Sequence, residues 1–207
     1  MKDRPFVGLA GNIGVGKTTF TEKMAAAFNW TPIYESVSDN PYLNDFYADM
    51  KRWSFNLQIY FLQKRFQAQR DILYSKRGVI QDRTIYEDSK IFAKNLNEMG
   101  QLKDRDYQTY NDLFDIMTSY LKKPDLIIYL KASTDTLLTR IHSRGREYEN
   151  KINPEYIHKL NITYDNWIKN IKDIKVMMIE TDHFNIFTDT KKFDLILEDV
   201  QKLIESS

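Results

Sequence analysis

The sequence has 207 residues, which suits one α/β domain with a full hydrophobic core, and we expect a single domain over residues 1–207. Thirty Lys and Arg residues against 29 Asp and Glu residues leave a formal net charge of +1, so no overall field favours nucleic acid or an acidic membrane. Cysteine is absent, which excludes disulfides, thiolate metal sites and a cysteine nucleophile.

The first predicted element is a strand over residues 6–10, which leads directly into a glycine-rich loop and then a helix. The loop matches the pattern G-x-x-x-x-G-K-[ST] in full; its residues, with the first threonine of the helix, are Gly11, Asn12, Ile13, Gly14, Val15, Gly16, Lys17, Thr18 and Thr19. Such a loop turns backbone N–H groups towards a polyphosphate at a helix N-terminus. We expect Lys17 to neutralise the β- and γ-phosphates and Thr18 to ligate Mg²⁺. A chance glycine-rich turn is the alternative, which the flanking strand and helix disfavour.

The rest of the chain alternates short apolar runs with helical patterns. Strands are predicted at 31–34, 78–82, 125–130 and 175–180, and helices at 41–50, 52–76, 104–121, 133–142, 153–171 and the C-terminus. A further helix begins at Thr84, where Thr84-Ile85-Tyr86-Glu87 matches a capping box, so we assign Glu87 to the helix start rather than to catalysis. The alternation predicts a parallel sheet of five strands, with the first strand central, helices on both faces and the functional site at the carboxyl ends.

No apolar run approaches the roughly 20 residues of a membrane-spanning helix, and the first is too short for the core of a secretory signal. We therefore expect a soluble cytoplasmic protein without nucleic-acid or membrane partners.

Charged residues follow two of the predicted strands. Glu35 comes after the second strand, and Asp82-Arg83 closes the third. Glu35 is a candidate general base for phosphoryl transfer, or else an exposed loop carboxylate. Asp82 is a candidate Mg²⁺ ligand, and Arg83 could hold the acceptor hydroxyl and the moving phosphoryl group. The alternative for this pair is a helix-capping loop with an ion pair.

A basic segment follows the fourth strand. Arg140 and Arg144 are four residues apart and share a helix face, and Arg146 lies beyond a glycine. We predict an arginine-rich lid over about 140–150 that neutralises charge in the transition state and excludes water. A solvated basic face is the alternative.

Five motifs together resemble those of a known enzyme family. They are Gly11–Thr19, Tyr34-Glu35, Arg52-Trp53-Ser54-Phe55 followed by Gln58, Asp82-Arg83-Thr84 with Asp88, and Arg144-Gly145-Arg146 with Glu149. With them the chain resembles the deoxyribonucleoside kinases over nearly its whole length. The resemblance implies a P-loop kinase fold and transfer of the γ-phosphoryl group of ATP, with Mg²⁺, to the 5′-hydroxyl of a deoxyribonucleoside. It also implies a homodimer, which the family often forms.

The resemblance further implies roles for single residues around the sugar. Glu35 matches the acidic residue beside the 5′-hydroxyl, and Arg83 matches the arginine near it. Asp82 falls where the family has its catalytic base or Mg²⁺ ligand, which leaves the general base open between Glu35 and Asp82. Tyr47 and Glu149 match the pair at the 3′-hydroxyl.

Four residues match the family's base pocket. Gln58 matches the glutamine that reads the base, Arg65 and Asp88 match the charged pair that completes the pocket, and Phe92 matches the aromatic that sandwiches the base. Gln58 and Arg65 are seven residues apart and therefore share one face of their helix. Burying such polar side chains is costly without a ligand or partner.

The choice of base stays open at this point. A glutamine amide has one donor and one acceptor and suits any base, so Gln58 selects little by itself. Segment 35–41 resembles the bacterial purine deoxynucleoside kinases, and on that basis we favour deoxyadenosine, with deoxyguanosine and deoxycytidine as alternatives. The further alternatives are a nucleoside monophosphate kinase resembling thymidylate kinase and a nucleotide-binding regulator. The sequence lacks the Asn-Lys-x-Asp tetrad for guanine, which disfavours a GTPase switch.

Overall fold

The strands of the structure form one parallel sheet. The computed structural model describes residues 4–35, 40–146, 149 and 152–206, and within them five strands lie in the order β2-β3-β1-β4-β5. Every neighbouring pair is parallel. The strands are β1 (Phe6–Ala10), β2 (Thr31–Ile33), β3 (Val79–Asp82), β4 (Leu126–Lys131) and β5 (Lys175–Glu180). The predicted α/β class, the parallel sheet and the central position of β1 are confirmed.

Helices cover the sheet and carry much of the core. They are α1 (Lys17–Phe28), α2 (Leu43–Ala48), α3 (Met50–Ile72), α4 (Ile85–Glu87), α5 (Lys94–Glu98), α6 (Asp104–Thr118), α7 (Thr134–Arg144), α8 (Pro154–Asn170) and α9 (Thr190–Glu205). All five residues of β1 are buried, as a central parallel strand requires. Of the described helices, none is both long enough and apolar enough to cross a membrane.

Helix α3 ends earlier than the pattern predicts. The helical pattern extends to about residue 76, but α3 ends at Ile72, where three successive i→i+3 hydrogen bonds tighten the chain over residues 73–75. Gly78 therefore does not end the helix. A Cβ at Gly78 would lie 2.5 Å from the indole of Trp30, so glycine is needed there for close packing.

The helix that begins after Thr84 contains a π-helical segment that sequence periodicity did not predict. Residues Asp88–Ala93 form this segment between α4 and α5. π-helical turns within α-helices are rare and often lie at functional sites. Each of them accommodates one extra residue in the turn. Here the segment carries Asp88 and Phe92, both of which line the cavity described below.

The predicted lid lies partly outside the described residues. Helix α7 extends two residues beyond the predicted end at 142, through Arg144, and Gly145 follows with φ +66. Arg140 and Arg144 are therefore on one helix, as predicted. Residues 147, 148 and 150 lie outside the described part of the chain, as do 36–39 of the segment that resembles the purine kinases.

Candidate active site

A cavity of about 520 Å³ opens at the carboxyl ends of β1, β2 and β3. That volume is typical of a small-molecule site. The residues that line it come from the glycine-rich loop, the strand ends, α2, α3, the π-helical segment, α7 and α8. They are Ile13, Gly14, Gly16, Lys17, Thr18, Thr19, Tyr34, Glu35, Leu43, Phe46, Tyr47, Leu57, Gln58, Phe61, Asp82, Arg83, Asp88, Phe92, Arg140, Arg144, Arg146, Glu149 and Tyr156.

The glycine-rich loop has the geometry of an anion site. Gly14 and Gly16 have φ values of +84 and +101, and α1 begins at the next residue, Lys17. The Lys17 ammonium donates to the backbone oxygens of Gly11 at 2.8 Å and Asn12 at 3.1 Å. Burial, together with the charge of Arg83, lowers the pKa of Lys17 to about 8. The lysine therefore remains largely protonated at neutral pH and lies beside the loop.

Thr18 and Asp82, the predicted Mg²⁺ ligands, meet at the end of β3. The Thr18 hydroxyl donates to Oδ2 of Asp82 at 2.7 Å. Oδ1 of Asp82 is buried and has no hydrogen-bond partner within the described residues. Among all the residues that the structure describes, no group of three or more His, Cys, Asp or Glu side chains could hold a metal ion. Mg²⁺ at phosphoryl-transfer sites commonly uses one or two protein ligands, with phosphate oxygens and water for the rest, so these two residues fit the ion.

Glu35 accepts hydrogen bonds from two buried arginines. Its Oε1 lies 2.5 Å from Nη2 of Arg65 and 2.8 Å from Nη1 of Arg83. Burial alone would raise the pKa of Glu35, but the charges of Arg83, Arg65 and Lys17 lower it to about 2. The alternative of an exposed loop carboxylate therefore does not fit the structure, because the Glu35 side chain is only 13% exposed and is ionised at neutral pH.

Arg83 has a backbone conformation that is unusual for a side chain of its size. Its φ of +65 lies in the left-handed region, which costs a non-glycine residue of order 1 kcal/mol and is often found at functional sites. The guanidinium donates to Glu35 and, at 3.4 Å, to the backbone oxygen of Gly11, and it stacks 4.4 Å from the ring centroid of Phe92. Arg83 thus contacts both the glycine-rich loop and Glu35, which follows β2.

Arg65 lies beneath the cavity rather than in its lining. Its Nε donates to Oδ2 of Asp88 at 2.8 Å, and Nη1 donates to the backbone oxygens of Asp82 and Arg83. The structure therefore brings the predicted pair of Arg65 and Asp88 together. Among the described residues, however, Asp88 lines the cavity and Arg65 does not. Burial raises the pKa of Asp88 to about 6, against the opposing charges of Arg65 and Arg83.

The other residues that we predict to bind the base and the sugar also lie around the cavity. Gln58 is buried on α3, and its Oε1 has no hydrogen-bond partner in the described chain. An unpaired buried amide oxygen costs about 1–3 kcal/mol, so a ligand N–H at this position would be stabilising. Phe92 lines the same cavity from the π-helical segment, and Tyr47 lines it from α2.

The arginines of α7 and of the segment just after it form two kinds of contact. Arg140 donates to the backbone oxygen of Val15 at 3.2 Å and to that of Thr181 at 2.6 Å, so it ties the loop to the segment after β5. Arg144 pairs with Glu149 through two hydrogen bonds of 2.9 and 2.5 Å, and Arg146 lies 3.5 Å from the same carboxylate. These contacts disfavour a solvated basic face, and the three arginines also line the cavity.

Two contacts at the site were not predicted from the sequence. The capping box at Thr84 is confirmed, but the Glu87 carboxylate also accepts from the backbone N–H of Gly11 at 3.3 Å and from the Tyr164 hydroxyl at 2.8 Å. The aromatic side chains of Tyr34 and Tyr156 line the cavity as well. Glu87 and Tyr164 are 77 residues apart, and a contact at that separation leaves no local pattern.

Comparisons with known proteins agree with this geometry. The family model for deoxynucleoside kinases matches residues 7–205. The deoxyadenosine/deoxycytidine kinase of Bacillus subtilis is 37% identical over 203 residues, which cover 97% of this chain and 94% of the relative. The deoxyadenosine kinase of Dictyostelium discoideum is 44% identical over 179 residues, which cover 86% of this chain and 73% of the relative. The structure of deoxyadenosine kinase from M. mycoides with bound dATP has a TM-score of 0.83 and 29% identity, and the match covers 95% of this chain and 99% of that one. The predicted resemblance is confirmed: the chain belongs to the deoxynucleoside kinase family, and it is an enzyme that phosphorylates deoxynucleosides.

Proposed function

We propose that the enzyme transfers the γ-phosphoryl group of ATP to the 5′-hydroxyl of deoxyadenosine, with deoxycytidine as its second substrate. The observation that carries the choice of base is a pair of hydrogen-bond acceptors in the cavity lining. They are the unpartnered Oε1 of Gln58 and the carboxylate of Asp88.

The phosphate donor would bind along the glycine-rich loop. Lys17 and the loop N–H groups would bind the β- and γ-phosphates, and Thr18 with Asp82 would hold Mg²⁺, which supplies positive charge to the phosphate oxygens when bound. Arg144 and Arg146 line the cavity, where they can neutralise charge on the transferred group. Glu149, the carboxylate that pairs with these arginines, also lines the cavity, as does Tyr47. Their positions suit a pair of residues that binds the sugar 3′-hydroxyl.

The nucleoside 5′-oxygen attacks the γ-phosphorus, the bond from that phosphorus to the β–γ bridging oxygen breaks, and ADP leaves. We assign the proton of the 5′-hydroxyl to Glu35 rather than to Asp82. Asp82 accepts from Thr18 and offers its second oxygen to a metal, whereas Glu35 is ionised and lies beside Arg83. A carboxylate of low pKa is sufficient in a loose transition state, because the attacking oxygen becomes strongly acidic only as its bond to phosphorus forms.

The two acceptors favour a base with an exocyclic amino group. Adenine and cytosine each carry an amino group with two N–H donors, whereas guanine and thymine present a carbonyl oxygen at the corresponding position. An amino group could donate one hydrogen to Oε1 of Gln58 and the other to the carboxylate of Asp88. A carbonyl oxygen would instead face the carboxylate of Asp88, which stays mostly ionised above its pKa of about 6.

A panel of four deoxynucleosides with ATP tests this proposal. We expect kcat/KM for deoxyadenosine and deoxycytidine to exceed that for deoxyguanosine and thymidine by roughly 100-fold, because a mismatched carbonyl leaves buried polar groups unpaired. Asp88→Asn adds a donor and should narrow this ratio. Asp199→Asn on the exposed side of α9 is the matched control and should leave the ratio unchanged. Equal kcat/KM for deoxyguanosine would remove the proposed base preference.

An assay with deoxyadenosine 5′-monophosphate as the phosphate acceptor distinguishes the proposed deoxynucleoside kinase from a nucleoside monophosphate kinase. The ionised Glu35 lies where a phosphate on the acceptor would have to approach, so we expect no turnover of the monophosphate.

We also propose that the protein is a homodimer that associates through α6. The helix is amphipathic, yet Leu113, Ile116 and, just beyond it, Tyr120 are exposed by 39%, 61% and 76%. Light scattering should give twice the chain mass for the wild type and the chain mass for Ile116→Asp, because a charge in an apolar interface is costly. Leu195→Asp, at a position of similar exposure on α9, should stay dimeric. A monomeric wild type would remove the proposal.

A further inference from the structure

The Glu87 carboxylate uses its two oxygens for different purposes. Oε2 accepts from the backbone N–H of Thr84 at 2.8 Å and so completes the capping box at the start of α4. Oε1 accepts from the backbone N–H of Gly11 at 3.3 Å and from the Tyr164 hydroxyl at 2.8 Å. A capping box needs only one oxygen. The second oxygen therefore joins α8 to the first residue of the glycine-rich loop.

The same oxygen faces Arg83. Oε1 of Glu87 lies 3.8 Å from Nε of Arg83, while Glu35 binds the other end of the guanidinium. Nε of Arg83 makes no hydrogen bond within the described residues, and the charge of the Glu87 carboxylate lies close to it. Arg83 thus lies between two carboxylates. Glu35 is on the side of the proposed nucleoside acceptor, and Glu87 is on the side of the glycine-rich loop.

Burial makes this arrangement costly to maintain. Glu87 is fully buried, and burial raises its pKa; Arg83, Lys17 and the hydrogen bonds from Thr84 and Tyr164 oppose that rise. A buried carboxylate is tolerated when it is paired and hydrogen-bonded, and removal of a partner leaves the charge uncompensated. An exposed acidic side chain could complete a helix start without this cost.

We propose that Glu87 and Tyr164 are positioning residues for phosphoryl transfer, which hold the Arg83 guanidinium and the backbone of Gly11 in a fixed relative position. Glu87 does not line the cavity among the described residues, so it acts through its neighbours. Arg83 belongs to the acceptor side and Gly11 to the donor side, and a misplacement of 1 Å between reacting groups can lower a rate about 100-fold. This inference rests on the proposed role of Arg83 in the transfer.

Tyr164→Phe tests the proposal on the full-length enzyme with ATP and deoxyadenosine. The substitution removes only the hydroxyl and keeps the ring, which stacks 5.8 Å from the ring of Tyr129. We expect kcat to fall about tenfold, with KM for both substrates within threefold of the wild type, because the ground-state contacts remain. The matched control is Tyr129→Phe, which removes a hydroxyl from the stacked neighbour, where it donates to Asp165 and not to Glu87. This control should keep the wild-type kcat.

Glu87→Gln is the second variant and keeps the proposal testable if Tyr164→Phe does not fold. It retains the shape of the side chain and one accepting oxygen, and it removes the charge that faces Arg83. Its NH₂ group replaces the other oxygen, so either Thr84 or Gly11 loses the acceptor of its backbone N–H. We expect a larger fall in kcat than for Tyr164→Phe, again without a matching rise in KM. A kcat within twofold of the wild type in either folded variant, or an equal loss in Tyr129→Phe, would overturn the inference. A wild-type enzyme that phosphorylates no deoxynucleoside would instead contradict the proposed function.

Discussion

Glu35→Gln is expected to lower kcat by about 10³-fold, the largest effect of any conservative substitution at the site. Glutamine keeps the shape of the side chain and an oxygen that can accept from Arg65 or Arg83, but it cannot take up the proton of the 5′-hydroxyl. General-base catalysis contributes roughly 10² to 10⁴ in rate. The loss of the negative charge also leaves two buried guanidinium groups with less compensation, which adds to the effect.

The measurement is kcat and KM for deoxyadenosine at saturating ATP, with circular dichroism and urea unfolding to establish that the variant is folded. Glu98→Gln is the matched control, since it removes the same charge from an exposed pair with Lys94. That variant should behave as the wild type. A folded Glu35→Gln enzyme with near-normal kcat would exclude Glu35 as the base.

Asp82→Asn is expected to lower kcat by about 100-fold and to raise the Mg²⁺ concentration for half-maximal activity about tenfold. The carboxamide can still accept from Thr18, so the local fold is retained, but it lacks the charge that favours a divalent cation. Loss of a metal ligand weakens metal binding and, with it, the charge stabilisation that the metal supplies in the transition state.

The Mg²⁺ dependence of the rate, measured at fixed ATP, separates this effect from a general loss of activity. Thr18→Ser is the conservative control because it keeps the hydroxyl, and its Mg²⁺ requirement should match that of the wild type. Thr18→Val, which removes the hydroxyl, should shift the requirement in the same direction as Asp82→Asn. An unchanged Mg²⁺ requirement in Asp82→Asn would place the metal ligand elsewhere.

Features that depend on neighbouring residues in the chain could be predicted from the sequence. The glycine-rich loop and the capping box at Thr84 are set by residues within a few positions of one another, and the structure has both of them. Strands β1 and β4 could also be predicted, because buried parallel strands are apolar along nearly their whole length. Glu35 and Asp82 could be assigned to one site because parallel strands end at the same edge of a sheet.

Features that depend on distant parts of the chain could not be predicted. Arg65 carries the same sequence signal as a residue that contacts a ligand, but its guanidinium lies beneath the cavity, since Glu35, Asp88 and two backbone oxygens take up its donors. The π-helical segment was missed because hydrophobic periodicity does not distinguish one extra residue in a turn. The early end of α3 follows from i→i+3 hydrogen bonds rather than from the glycine that follows.

The place of β1 in the sheet has a consequence for how the protein folds as it is synthesised. Val7 in β1 is paired with Ile80 on one side and with Leu126 on the other, so both neighbours of the central strand come much later in the chain. The glycine-rich loop is therefore synthesised before both of the strands that flank β1, and β1 completes its pairing only once β4 has been made. Pairings of such long sequence separation are slow to form. The glycine-rich loop therefore reaches its final surroundings late in folding, after the strands on both sides of β1 have paired with it.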